Sequence, residues 1–259
     1  MDVRFYYDGI RRTLWSAEVF SLREPTPATD EFWTLYPLFP RGELQALPVR
    51  QRRYWLQLFF HKYELLHRGE ITQVLETWQQ TWQEQASAIQ ELLTALFGVP
   101  LTDVFNEVHA YLTFHPHTAR FPRHEVVYLY YRLDQRHFLS HLIGELANLV
   151  WFFVWQRHFG DDSSEYEPLR VKWLAAQLGQ AVLWARPGLW DDFPYLAHLL
   201  PSDRPIPYPE PLDKLRVDDW LTMEELTAYY HHDDLTGFME VLLAYGAIYE
   251  KQLRQAFTD

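Results

Sequence analysis

No cysteine occurs in the 259 residues, which removes disulfide bridges, thiolate nucleophiles and cysteine-ligated zinc together. Basic residues are also in short supply: 23 Lys and Arg stand against 35 Asp and Glu, a formal net charge of −12. Neutralising phosphates needs a concentrated basic surface, and neither Arg11–Arg12 nor Arg50, Arg52 and Arg53 make one large enough, so no nucleic-acid partner is expected. GxSxG, P-loop and GxGxxG fingerprints are missing, which leaves nucleophilic hydrolases and nucleotide enzymes without support. The opening residues MDVRFYYDGIRR hold no apolar run behind a basic segment, so no secretory signal is expected. The longest apolar stretch, Phe138 to Trp155, falls short of the ~20 residues of a membrane span and carries His141, Glu145 and Asn148. A cytoplasmic protein with no membrane partner is the expectation.

What the chain has in abundance is apolar and aromatic mass, 48% and 17% of residues, with 11 Trp, enough for a packed core. The densest concentration is His137 to His158, HFLSHLIGELANLVWFFVWQRH. As a helix it is apolar on nearly every side and must be covered from several directions, which makes it the expected central helix. Its polar groups His137, His141, Glu145 and Asn148 follow one another a turn apart. Burying that stripe costs free energy unless each group finds a partner.

Around this helix the pattern predicts an α+β, predominantly helical fold: a small sheet, then the buried central helix, then a helical C-terminal half. Val3 to Tyr7 reads as a strand, and Arg50–Leu66 and Glu70–Phe97 as two helices, the second stopping at Gly98 and Pro100. Glu107–Phe114 and Glu125–Arg132 read as strands, Pro168–Arg186 as an apolar helix, and Thr222–His231 and Leu235–Phe257 as closing helices. Residues 1–100 then form an N-terminal strand and helical region packed on a main domain of residues 101–259.

A zinc hydrolase needs imidazoles at i and i+4 of one helix to grip its metal and a carboxylate beside the first to activate water, the HExxH pattern. The corresponding window here is Gly144-Glu145-Leu146-Ala147-Asn148. Two predicted strands precede it, and Trp173-Leu174-Ala175-Ala176-Gln177-Leu178-Gly179 follows on the next helix. In these features the region from Glu107 to the C-terminus resembles the zincin metallopeptidases of the gluzincin type, the peptidase MA-like group. There a second helix supplies a glutamate through a W-L-x-E-G-x-A motif. The resemblance implies that Gly144, Asn148 and Ala176 stand where the three metal ligands would be, and that Glu145 stands where the general base would be. Glycine and alanine offer no donor atom, and an Asn amide is a poor zinc ligand beside imidazole. A zincin-like domain without metal or other cofactor and without peptidase activity is therefore expected, retained to bind a peptide or protein or to serve as a structural module.

Two other readings stay open. His137 and His141 are spaced like a ligand pair, and a hydrolase could use them with Glu145 as base. Glu145 lies ~12 Å along the axis from His137, so a zinc ion would need a ligand from elsewhere, such as His109, His115 or His117. The bland alternative is that His137 sits at the helix start and His141 partners Glu145. The third reading is an unrelated, mostly helical interaction protein. His124-Glu125-Val126-Val127-Tyr128 starts like HExxH but falls in a strand, where residues four apart are ~13 Å distant, so it is a chance match. For a binding module, Glu125–Arg132 is the expected edge strand, with Tyr128, Tyr130 and Tyr131 beside the groove. Packing of these tyrosines into the sheet is the competing account.

Overall fold

The computed structural model describes residues 1–14, 34–36, 41–114, 125–160, 170–202, 205–206, 215–217, 220–230 and 234–258. Its sheet contains β1 (Asp2–Tyr6), β2 (Glu107–Thr113) and β3 (Val126–Tyr130), in that spatial order and parallel throughout. Val3 is opposite Val108, and Ala110 opposite Val127. Period-two alternation sends Val3, Val108, Ala110, Leu112, Val127 and Leu129 to one buried face. Phe5, on the same face, lies 6.0 Å from the Trp78 ring and 5.7 Å from that of Phe138, which themselves stack at 4.8 Å.

Those two rings belong to the helices that cover the sheet. Between β1 and β2 the chain forms α1 (Arg41–Ala46), α2 (Val49–Phe97) and α3 (Leu101–Val104). The two helices expected over 50–66 and 70–97 are in fact one of 49 residues. Gly69 does not break it: a mid-helix glycine costs only ~1 kcal/mol relative to alanine, and this one has open space around it. The helix stops at Gly98, whose left-handed φ of 67° lets its N–H reach the Thr94 carbonyl.

After β3 comes α4 (Gln135–Phe159), the central helix. Its start is fixed by Asp134, whose carboxylate accepts the N–H groups of Arg136 and His137, and its end by Gly160 at φ 69°. By length and composition α4 could cross a membrane, yet 83% of its most apolar window is buried within this fold. It is followed by α5 (Val171–Trp184), α6 (Leu189–Asp192), α7 (Pro194–Leu199), the short antiparallel pair β4 (Arg216–Val217) and β5 (Trp220–Leu221), and α8 (Thr222–Tyr229). The closing helix expected over 235–257 is two, α9 (Leu235–Ile248) and α10 (Glu250–Thr258), parted at Tyr249. The fold is α+β and predominantly helical, as the pattern predicts. One cluster of buried side chains runs from Val3 to Leu253, and the sheet joins β1 from the first hundred residues to β2 from the rest.

Candidate functional site

The polar stripe of α4 is spent differently at each turn. His137 is exposed, and its Nδ1 lies 2.7 Å from the Asp134 carboxylate that caps the helix. The His137 backbone N–H, then its imidazole, hold the Asp134 carboxyl below the usual aspartate range. His141 is half-buried, while Glu145 and Asn148 are buried, Glu145 at 9% exposure. The helix therefore carries its polar groups from solvent at the first turn into the core by the third.

Asn148 is the inner end of the stripe. Its Nδ2 donates to the Gly144 carbonyl at 3.0 Å, and its Oδ1 accepts from Gln180 Nε2 on α5. Ala176 is fully buried one turn earlier on α5, but the side chain that crosses to Asn148 is that of Gln180. The helices meet closely because Gly179 has no side chain: a Cβ there would lie 2.2 Å from Trp151 Cη2 and 2.7 Å from Leu242 Cδ1. Gln177 is buried as well, and its Nε2 finds no acceptor among the described residues. The α4–α5 contact is thus a glycine notch next to an amide–amide hydrogen bond. Neither Gly179 nor Gln180 is evident from motif spacing. A polar side chain in a helix as apolar as α5 is the one signal that points to Gln180.

Among the described residues no three His, Asp or Glu side chains gather closely enough to hold a metal ion. His109, on β2, lies on the opposite face of the sheet from the core, stacked on Tyr6 at 5.3 Å and 3.2 Å from Glu107. His115, His117 and His124 lie outside the described residues. Glu125 has a positive φ of 53° at the entrance to β3, so its neighbours 126–130 are strand and the HExxH-like window around it is no helix.

Tyr128 and Tyr130 of β3 and Tyr131 just after it do not share one groove. Tyr128 is on the outer sheet face, where Arg12 Nη1 donates to its hydroxyl at 2.9 Å and the guanidinium lies 4.8 Å from the Tyr111 ring. Tyr131 points inward, 1% exposed, with its hydroxyl 2.5 Å from that of Tyr63 and its ring 5.1 Å from Phe114. Tyr130 lies beside Tyr36 and Arg132 at the end of the strand. Burial raises all three phenols; Arg12 opposes the shift at Tyr128, and Arg132 does so at Tyr130 and Tyr131.

Tyr131 belongs to an aromatic knot at the carboxyl ends of the strands. Tyr36 donates its hydroxyl to the Phe114 carbonyl, Thr13 Oγ1 accepts the Phe114 N–H at 3.0 Å, and His67 stacks on Tyr63 at 4.2 Å. In open parallel sheets this edge is where ligands enter, but here one phenol and one hydroxyl already take up the backbone groups of Phe114, the residue after β2. A shallow depression of about 150 Å³ between Trp78, Thr81, Leu133 and Phe138 is smaller than the ~300 Å³ at which small-molecule pockets begin.

Comparison with protein-family models, with curated proteins and with solved structures gives no match.

Proposed function

We propose that this chain is a zincin-like module without peptidase chemistry, working in the cytoplasm by binding an extended segment of a peptide or protein along β3. The observation that carries this reading is the Asn148 amide. In the window that resembles HExxH, it is hydrogen-bonded to Gly144 and Gln180 within a packed helix contact. The element order adds support, since two strands precede α4 and an apolar helix follows it. The alternative with His137 and His141 as zinc ligands draws no support from His137, which is engaged by Asp134 at the exposed helix start.

The binding edge follows from strand order and register. Among the described residues β3 is outermost, with β2 on one side. His109 N–H donates to the Glu125 carbonyl and Tyr131 N–H to the Thr113 carbonyl, so odd-numbered residues of β3 face β2. Parallel pairing then directs the backbone groups of Val126 and Tyr128 to the other side, where an incoming strand would pair.

Replacing Tyr128 by proline removes the outward N–H while leaving the bonds to β2, and Tyr128→Val keeps that N–H without the phenol. In a fluorescence-polarisation screen with extended peptides, Tyr128→Pro is expected to lose binding that Tyr128→Val retains. Equal binding by the two variants, or stoichiometric zinc in protein purified without chelator, would overturn the proposal.

A further inference from the structure

The N-terminal half of α2 is apolar on two opposite sides. Leu56 and Phe60 are buried, at 1% and 0% exposure, and Tyr63 is half-buried beside them. At 100° per residue, Tyr54, Leu58 and Leu65 lie on the far side of the helix, with Trp55 and Leu66 alongside. Those five side chains are 48–73% exposed and form a stripe ~18 Å long. Large exposed apolar residues scattered singly need no explanation, but five gathered on one side of one helix mark an interaction surface.

Charge says what kind. Residues 49–68 hold Arg50, Arg52, Arg53, Lys62 and Arg68 against Glu64 as the one acid, in a chain of net charge −12. Arg50, Lys62 and Arg68 are exposed; at 100° per residue Arg50 and Arg68 fall on the Tyr54 flank of the stripe and Lys62 within it, while the acidic excess belongs to the rest of the molecule. A second copy would bring like charges face to face. A Trp and a Tyr beside leucines, with long basic side chains among and beside them, form instead the pattern of a helix lying in a lipid–water interface.

We propose that the outward face of α2, from Tyr54 to Leu66, docks on an anionic lipid surface, with Trp55, Leu58, Leu65 and Leu66 entering the headgroup–acyl boundary and Arg50, Lys62 and Arg68 contacting acidic headgroups. This contact is peripheral and differs from the spanning helix weighed for α4. It is also independent of the peptide edge on β3.

The test is co-sedimentation of the full chain with phosphatidylcholine vesicles, with and without roughly 30% phosphatidylserine. Binding is expected with phosphatidylserine alone and should fall as salt rises from ~0.1 M to ~0.5 M. Neutralising Arg50 or Lys62 to glutamine should weaken it about fivefold each. Leu65→Glu with Leu66→Glu should weaken it by about tenfold or more without changing the thermal midpoint, because both side chains are more than 70% exposed. Equal binding to both vesicle types, or no binding by the unaltered chain, overturns the proposal whether or not the variants fold. So does a dimer in sedimentation that the double glutamate variant dissolves, which would assign the stripe to a second copy.

Discussion

Helices α2 and α4 are both long and rich in leucine and aromatic residues, yet the fold treats them in opposite ways. α4 is covered from the sheet side by β3 and elsewhere by α2, α5 and α9, and its polar residues must find partners inside the protein. α2 is covered along its C-terminal half, where Trp78, Trp82, Ile89, Leu92, Leu93 and Leu96 face the core, while its N-terminal half leaves Leu65 and Leu66 more than 70% exposed. Leucine and aromatic content alone therefore does not report burial. What decides it is whether neighbouring elements reach that side of the helix.

Glycine substitutions should part the two helices most strongly. Gly179→Val on α5 drives a Cβ into Trp151 of α4 and is expected to cost about 3 kcal/mol or more, measured as a shifted urea midpoint. Gly69→Ala on α2 meets nothing within 4 Å and should instead stabilise by ~0.5–1 kcal/mol. A destabilising Gly69→Ala would show that the outer side of α2 is more tightly packed than described.

The next effect concerns the amide contact of α4. Asn148→Leu and Gln180→Leu each strand a buried polar partner and should cost about 1–3 kcal/mol. The double substitution should cost less than the sum of the two, giving a coupling of ~0.5–3 kcal/mol in a double-mutant cycle. Strict additivity would mean that the two side chains do not interact.

The smallest expected effect lies at the solvent end of α4. Asp134→Ala should cost ~1 kcal/mol near neutral pH through loss of the cap. Because the folded-state pKa of Asp134 is lowered, its contribution is present above the ordinary aspartate range and disappears as pH falls through the depressed folded value. The stability difference between the two proteins should therefore close in acid, and a constant difference down to strongly acidic pH would remove the charged cap from the account.

The central helix was legible as a continuous apolar run with polar groups at helical spacing, and the strands around Val108 and Val127 as β-branched and aromatic clusters. The join of α2 across Gly69 was not, because a turn containing His67, Arg68 and Gly69 looks like punctuation until long-range packing holds the helix on both sides of it. The candidate site was legible only in part. Glu145 and Asn148 stood out as polar residues in an apolar run, whereas the choice of Gln180 over Ala176 as the residue meeting Asn148 depends on how α5 crosses α4, and Gly179 sets that crossing. Tyr128 and Tyr131 sit three residues apart and could be taken as one aromatic surface. Strand pleat sends them to opposite faces of the sheet.

By itself the sequence determined the helical majority, the small sheet and the burial of α4, since hydrophobic period and turn residues act over a few positions and leave their mark locally. The tertiary structure decided the parallel order of the strands, the outward turn of the Tyr54–Leu66 stripe and the closure of the Asn148 amide by Gln180. Each depends on which surfaces meet across tens or hundreds of residues, and that is set by packing the whole core at once.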